Sequence, residues 1–108
     1  MDSDPDIRFT RTPDFRVEWI DDKASRLVSV LGEVDLASVG GLRAALECEQ
    51  PRLVVDLRHV TFMDLSGLDC LIEAVGKHKV VALVTSPMVD RLLELTATSQ
   101  LFEINKGV

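Results

Sequence analysis

The run Leu53-Val54-Val55-Asp56-Leu57 constrains this chain more than any other feature. It is almost continuously aliphatic, without the apolar/polar alternation of a half-solvated strand, so the sequence predicts a mid-sheet strand of the type that parallel sheets bury on both faces. Parallel neighbours need a crossover long enough to hold a helix. After the run, Leu68, Leu71, Ile72 and Val75 follow at i, i+3, i+4 and i+7, the spacing of a helix from about Gly67 to Val75 that packs inward, with Gly76 as its stop. Val80 to Val84 is a second buried strand. Ser86-Pro87 then pairs an N-cap with proline at the first helical position, opening a helix with Val89, Leu92 and Leu93 inward.

Upstream, Phe15, Val17 and Trp19 alternate with Arg16 and Glu18, Asp21-Asp22-Lys23 supplies a polar turn, and Leu27 to Leu31 forms a second strand, so a hairpin is expected. Gly32-Glu33-Val34-Asp35 closes that strand. Ser38 caps a helix with Val39, Leu42, Ala45 and Leu46 on one face, and Pro51 ends the region. Phe102-Glu103-Ile104 closes the fold as a short strand or coil. Strands alternating with helices define the class: α/β, a mixed and mostly parallel sheet with an N-terminal antiparallel hairpin and amphipathic helices packed against it.

A length of 108 residues suits one domain with one core, and nothing in that core demands a metal, cofactor or disulfide. Residues 1–13, with Asp2, Asp4, Asp6 and Pro5, read as a flexible acidic lead, and residues 14–108 as the domain. The lead lacks the apolar stretch of a secretory signal, and the longest apolar run, Val80 to Val84, is far short of the roughly 20 residues of a spanning helix. The chain is therefore expected to be cytoplasmic, without membrane insertion. The formal net charge of −6 and the lack of a Lys/Arg cluster argue against direct nucleic-acid binding and for a protein partner that presents basic groups. Cys48 and Cys70 have no metal-ligand spacing with each other or with His59 and His78, and read as free thiols, Cys70 on the less buried side of its helix. The two histidines read as surface or loop residues.

The informative stretch is Phe62-Met63-Asp64-Leu65-Ser66-Gly67-Leu68, where the buried strand runs into the amphipathic helix. Ser66 fits an N-cap, and Asp69 three residues on completes an arrangement close to a capping box. Gly67 leaves the hydroxyl uncrowded. A serine there is either an ordinary cap or a modification site: the helix start holds its oxygen in place, and backbone N–H groups favour an added anion. Phosphorylation adds roughly −1.5 to −2 charges near Asp64 and Asp69. A doubly charged phosphate ~6 Å from one partner carboxylate, at an effective dielectric of ~40, costs roughly 3 kcal/mol, about a hundredfold in affinity. Asp64 on its own reads equally as an Asx-turn former, and Asp35 as a local cap.

At these residues the chain resembles the STAS family, and specifically the bacterial anti-sigma factor antagonists, whose signature is similar to this strand followed by Phe-Met-Asp-x-Ser-Gly-Leu. Gly32-Glu33-Val34-Asp35-Leu36 resembles the family's element before the first helix. Arg91 to Thr96 followed by Leu101 to Ile104 resembles its C-terminal helix and tail. The resemblance implies a STAS fold and a non-enzymatic switch with no cofactor. It implies that Ser66 is the phosphoacceptor, that the unmodified protein binds an anti-sigma factor that is also a serine kinase and so frees a sigma factor, and that a serine phosphatase restores it. It further implies that Asp64 and Gly67 flank the hydroxyl, and that Asp35 and Asp69 lie near the partner-facing surface. Leu65 stands where many relatives carry a second small hydroxyl, a departure that bears on which kinase recognises the site. The link Gly76 to Val80 is shorter than usual.

Two other classes remain as alternatives. Some stand-alone STAS proteins resemble regulatory subunits of membrane transporter complexes, a role that needs no phosphate on Ser66. An enzyme is the weakest reading, because the sequence offers no paired acids, triad, metal cluster or phosphate-binding glycine loop.

Overall fold

The computed structural model describes residues 7–106. Its elements run β1 (Ile7–Thr12), β2 (Phe15–Asp21), β3 (Ser25–Val34), α1 (Val39–Leu46), β4 (Arg52–Met63), α2 (Leu65–Val75), β5 (Val80–Thr85), α3 (Pro87–Leu95), a 3₁₀ turn (Ser99–Leu101) and β6 (Glu103–Lys106). The six strands form one sheet in the order β1-β2-β3-β4-β5-β6. The pairs β1/β2 and β2/β3 are antiparallel; β3/β4, β4/β5 and β5/β6 are parallel. The α/β class, the initial hairpin and the parallel remainder match the sequence expectation.

Two expectations need correction. Residues 7–12 do not belong to a lead: they are β1, paired along their whole length with Phe15–Ile20. Ile7 and Phe9 alternate with Arg8 and Thr10, a short period-two signal obscured by the Asp- and Pro-rich residues before it and Pro13 after it, and the turn at Pro13 and Asp14 brings the segment back against β2. Residues 1–6, the most acidic part of the expected lead, lie outside the described residues. The second correction concerns β4. Leu53, Val55 and Leu57 are fully buried, while Val54 and Asp56 between them are half-buried. All three crossovers step across the sheet in the same direction, so their right-handedness places α1, α2 and α3 on the same face and leaves the other open. The strand is central, with one face covered.

Beneath the helices, Val17 of β2, Val28 and Val30 of β3, Leu53, Val55 and Leu57 of β4 and Val81 and Leu83 of β5 meet Leu42, Ala45, Leu71, Val89 and Leu93 in a single core. The inward residues of α1 are Val39, Leu42, Ala45 and Leu46, as their spacing predicts. Ser86 caps α3 by accepting from the Val89 N–H at 3.4 Å, with Pro87 at the start of the helix, again as predicted. His78 is a structural tie: its two ring nitrogens lie 2.8 Å from the Gln50 carbonyl oxygen and 3.1 Å from that of Leu46, joining the chain before β5 to the end of α1.

One glycine fixes how β3 approaches the site. Gly32 has φ +92°, a region that side chains rarely adopt, and a Cβ there would lie 2.2 Å from the Asp14 carbonyl oxygen. The close approach lets the Glu33 N–H donate to that oxygen at 2.8 Å and carries Val34 to the end of β4.

Candidate functional site

The site is built where β3 and β4 end side by side. Val34 pairs with Met63, and the Asp64 N–H donates to the Val34 carbonyl at 3.1 Å. This joint sets Asp35, which follows Val34, beside the start of α2. The C-terminal edge of parallel strands is the usual place for functional groups in open α/β sheets.

The helix begins two residues earlier than its apolar spacing suggests. The N-cap of α2 is Asp64, in extended conformation, and Ser66 is the second residue of the helix. Asp64 Oδ1 accepts from the Ser66 N–H at 2.9 Å and the Gly67 N–H at 3.3 Å. The expected Ser66 cap and the Ser66–Asp69 capping box are thereby corrected: the helix opens two residues earlier, so the first-turn amides to be capped are those of Ser66 and Gly67, and the Asp64 carboxylate, being charged, makes strong bonds to them. The Ser66 and Gly67 amides are consequently occupied, and not vacant for an added anion as the sequence reading supposed.

The Ser66 hydroxyl donates to Asp64 Oδ1 as well. That bond first, and then the Gly67 and Ser66 amides, hold the Asp64 carboxyl below the usual carboxylate range. Ser66 is half-buried, in the first turn of the helix.

Gly67 does more than leave room. A Cβ at this position would lie 2.7 Å from Val34 Cγ1 and 2.9 Å from Met63 Cγ, so the first turn of α2 rests directly on the ends of β3 and β4. Leu65 points away from that contact and is 61% exposed. Asp69, one turn further along and also exposed, shares its side of the helix. Asp35 is half-buried, and its Oδ1 accepts from the Ala37 N–H at 2.9 Å and the Ser38 N–H at 3.2 Å. These bonds meet the local-capping reading. Ser38 is buried and gives α1 no side-chain cap; its hydroxyl instead donates to the Glu33 carbonyl at 2.8 Å and accepts from the Asp35 N–H at 3.0 Å.

Two apolar residues at this end escaped the sequence reading. Leu36, in the turn between β3 and α1, is 80% exposed, and Phe62, opposite Glu33 near the end of β4, is 50% exposed. With Leu65 they give the end of the sheet three uncovered apolar side chains among Glu33, Asp35, Asp64 and Asp69. The available signal was Leu36 set among the small and polar residues of a turn, where no helix or strand period demands a leucine. Cys70 proves to be buried in the core, contrary to expectation: the buried face of α2 is Gly67, Leu68, Cys70, Leu71 and Ala74, rotated from the expected stripe so that Ile72 and Val75 are only half-buried; burial pushes the Cys70 thiol up to about 11. Among the described residues no group of His, Cys, Asp and Glu could hold a metal ion, and no helix is long and apolar enough to cross a membrane.

Comparison with known proteins places this geometry in a family. No curated protein sequence matches the chain. Among solved structures, an anti-sigma factor antagonist from Mycobacterium paratuberculosis is 26% identical, with a TM-score of 0.68 over 94% of this chain and 88% of that one. The STAS domain of an anti-sigma factor antagonist from Rhodobacter sphaeroides is also 26% identical, with a TM-score of 0.52 over 66% of this chain and 84% of that one. The Bacillus cell fate determinant SpoIIAA, in its phosphorylated form, has a TM-score of 0.55 over 94% of this chain and 91% of that one; at 13% identity this likeness carries the fold alone. The family model described as the STAS domain matches residues 17–108, taking in the sheet from β2 onward, all three helices and the Asp64–Ser66 cap, and the chain belongs to the STAS domain family.

Proposed function

We propose that the protein is an anti-sigma factor antagonist that binds a serine-kinase anti-sigma factor while Ser66 is unmodified, so releasing a sigma factor, and that phosphorylation of Ser66 switches it off. The observation that carries this reading is the half-buried Ser66, its hydroxyl held by Asp64 at the start of α2, at the end of the sheet that exposes Leu36, Phe62 and Leu65. The 26% identical structures that bear the antagonist name support the role.

In the modification step Ser66 Oγ forms a bond to the γ-phosphorus of ATP as the bond from that phosphorus to the departing ADP oxygen breaks. The hydroxyl proton passes to a base of the kinase. A serine phosphatase reverses the change by hydrolysis. The chain acts as a binding protein and not an enzyme, in the cytoplasm where the kinase finds ATP. Asp35, Leu65 and Asp69 belong to the docking surface in this reading, where acidic and apolar groups suit a partner presenting basic and apolar ones; Gly67, expected there from the sequence, is buried against Val34 and Met63 and supports that surface from beneath.

The switch follows from charge. The surface already carries Asp64 and Asp69, and a phosphate in the middle of a packed interface adds both bulk and roughly two negative charges. Incubation with the anti-sigma factor and ATP, followed by intact mass and peptide mapping, tests the proposal. It predicts one phosphate, on Ser66, and none on Ser66→Ala. Phosphate on another residue, or co-purification from cells with transporter components and unmodified Ser66, contradicts it.

A further inference from the structure

Three hydrogen bonds converge on a single oxygen, Asp64 Oδ1: from the Ser66 amide, the Gly67 amide and the Ser66 hydroxyl. The amides are fixed, because Gly67 rests on Val34 and Met63 with no room for even a Cβ. They fix the carboxylate, and the carboxylate in turn fixes the hydroxyl. An untethered serine side chain is spread over three staggered χ1 wells. Here the bond to Asp64 selects one well and directs the proton at the carboxylate, leaving the oxygen's remaining lone pairs to face away from it. Phosphoryl transfer relies on alignment of the attacking oxygen with the phosphorus and the leaving oxygen, so orientation of the acceptor has direct kinetic weight.

We propose that Asp64 is a positioning residue for phosphoryl transfer to Ser66, presenting the acceptor oxygen in one orientation, so that its contribution falls on the transfer step and not on docking. The inference rests on the reading of Ser66 as phosphoacceptor. It also assigns separate tasks to neighbouring residues: the uncovered side chains of Leu36, Phe62 and Leu65 are free to bind, whereas the Asp64 oxygen is already engaged within its own turn.

Steady-state phosphorylation of wild type, Asp64→Asn and Asp64→Ala by the anti-sigma factor captured by the unmodified protein, with ATP, separates the two tasks. Releasing the hydroxyl into three wells lowers kcat of Asp64→Ala by about threefold or more, with KM held within about twofold. Asp64→Asn, whose side-chain oxygen still accepts from the amides and the hydroxyl, keeps most of the rate. An unchanged kcat for Asp64→Ala, or a raised KM at unchanged kcat, overturns the proposal. The orientation itself is read without any kinase from the three-bond couplings of the Ser66 β protons. They report one rotamer in wild type and Asp64→Asn and an average in Asp64→Ala; averaging already present in wild type overturns the proposal. Labelling of Ser66→Ala at the wild-type rate instead removes Ser66 as acceptor, a failure of the functional reading that the couplings distinguish from a failure of the tether.

Discussion

Replacing Gly67 by alanine isolates the contact that seats the switch. The added methyl meets Val34 Cγ1 at 2.7 Å and Met63 Cγ at 2.9 Å, and both neighbours are buried, at 0% and 6% exposure, so neither can swing into solvent. Overpacking of this kind costs about 1–3 kcal/mol. Exchange of glycine for alanine in a helix returns at most about 1 kcal/mol, so Gly67→Ala should lose about 1 kcal/mol net. In a domain of this size that lowers Tm by about 4 °C. Gly40 provides the internal control: it too lies in a helix, α1, but a Cβ there meets nothing within 4 Å. Gly40→Ala should therefore gain up to about 1 kcal/mol and raise Tm by a few degrees. Thermal and urea unfolding of the two variants beside wild type decide the matter. Opposite signs support close packing of α2 on the strand ends; if both alanines stabilise equally, the argument from contact is wrong.

Other perturbations address separate parts of the fold. Thr85 is fully buried and its hydroxyl has no hydrogen-bond partner among the described residues, so Thr85→Val, of nearly the same shape, should stabilise by about 1 kcal/mol in chemical denaturation. Ala97 follows α3 with φ +56° and donates to the Glu94 carbonyl while Thr98 donates to that of Leu93; Ala97→Gly should therefore raise the unfolding free energy by about 1 kcal/mol or less. The Arg58 guanidinium, at 2.8 Å, is the chief cause that lowers the Asp56 carboxyl below its ordinary value. A depressed folded pKa gives stability that is present above the unfolded value of about 3.9 and lost as pH falls through the folded one. Asp56→Asn should thus lower stability at pH 7 by less than about 1 kcal/mol, with the difference from wild type vanishing in acid below that range.

Most of the sheet and all three helices were legible because their apolar residues repeat with periods that elementary geometry assigns. The spacing of Val39, Leu42, Ala45 and Leu46 and the pair Ser86-Pro87 needed only local information. β1 was overlooked although Ile7 and Phe9 alternate with Arg8 and Thr10, because the alternation spans only four residues between an acidic stretch and Pro13, and pairing with β2 is what extends it to Thr12. The site was legible as a location but not as a mechanism. Ser66 stood out by its place between a strand and a helix, yet Asp64 and Ser66 are both good caps, and only the actual first turn decides between them. The contact beneath Gly67 joins β3 to α2 across thirty intervening positions of chain, a long-range fact that no window of sequence contains. Leu36 and Phe62 were missed because exposure of an apolar residue depends on what the rest of the fold fails to cover.

The most direct measurement is the affinity of the purified anti-sigma factor for the unmodified protein and for the same protein carrying phosphoserine at residue 66, determined by calorimetric titration at one ionic strength. A weakening of about a hundredfold on modification, with Ser66→Ala binding as tightly as unmodified wild type, is the expected result. Equal affinity of the two forms would contradict the account, because the hydroxyl at the start of α2 would then decide nothing about docking.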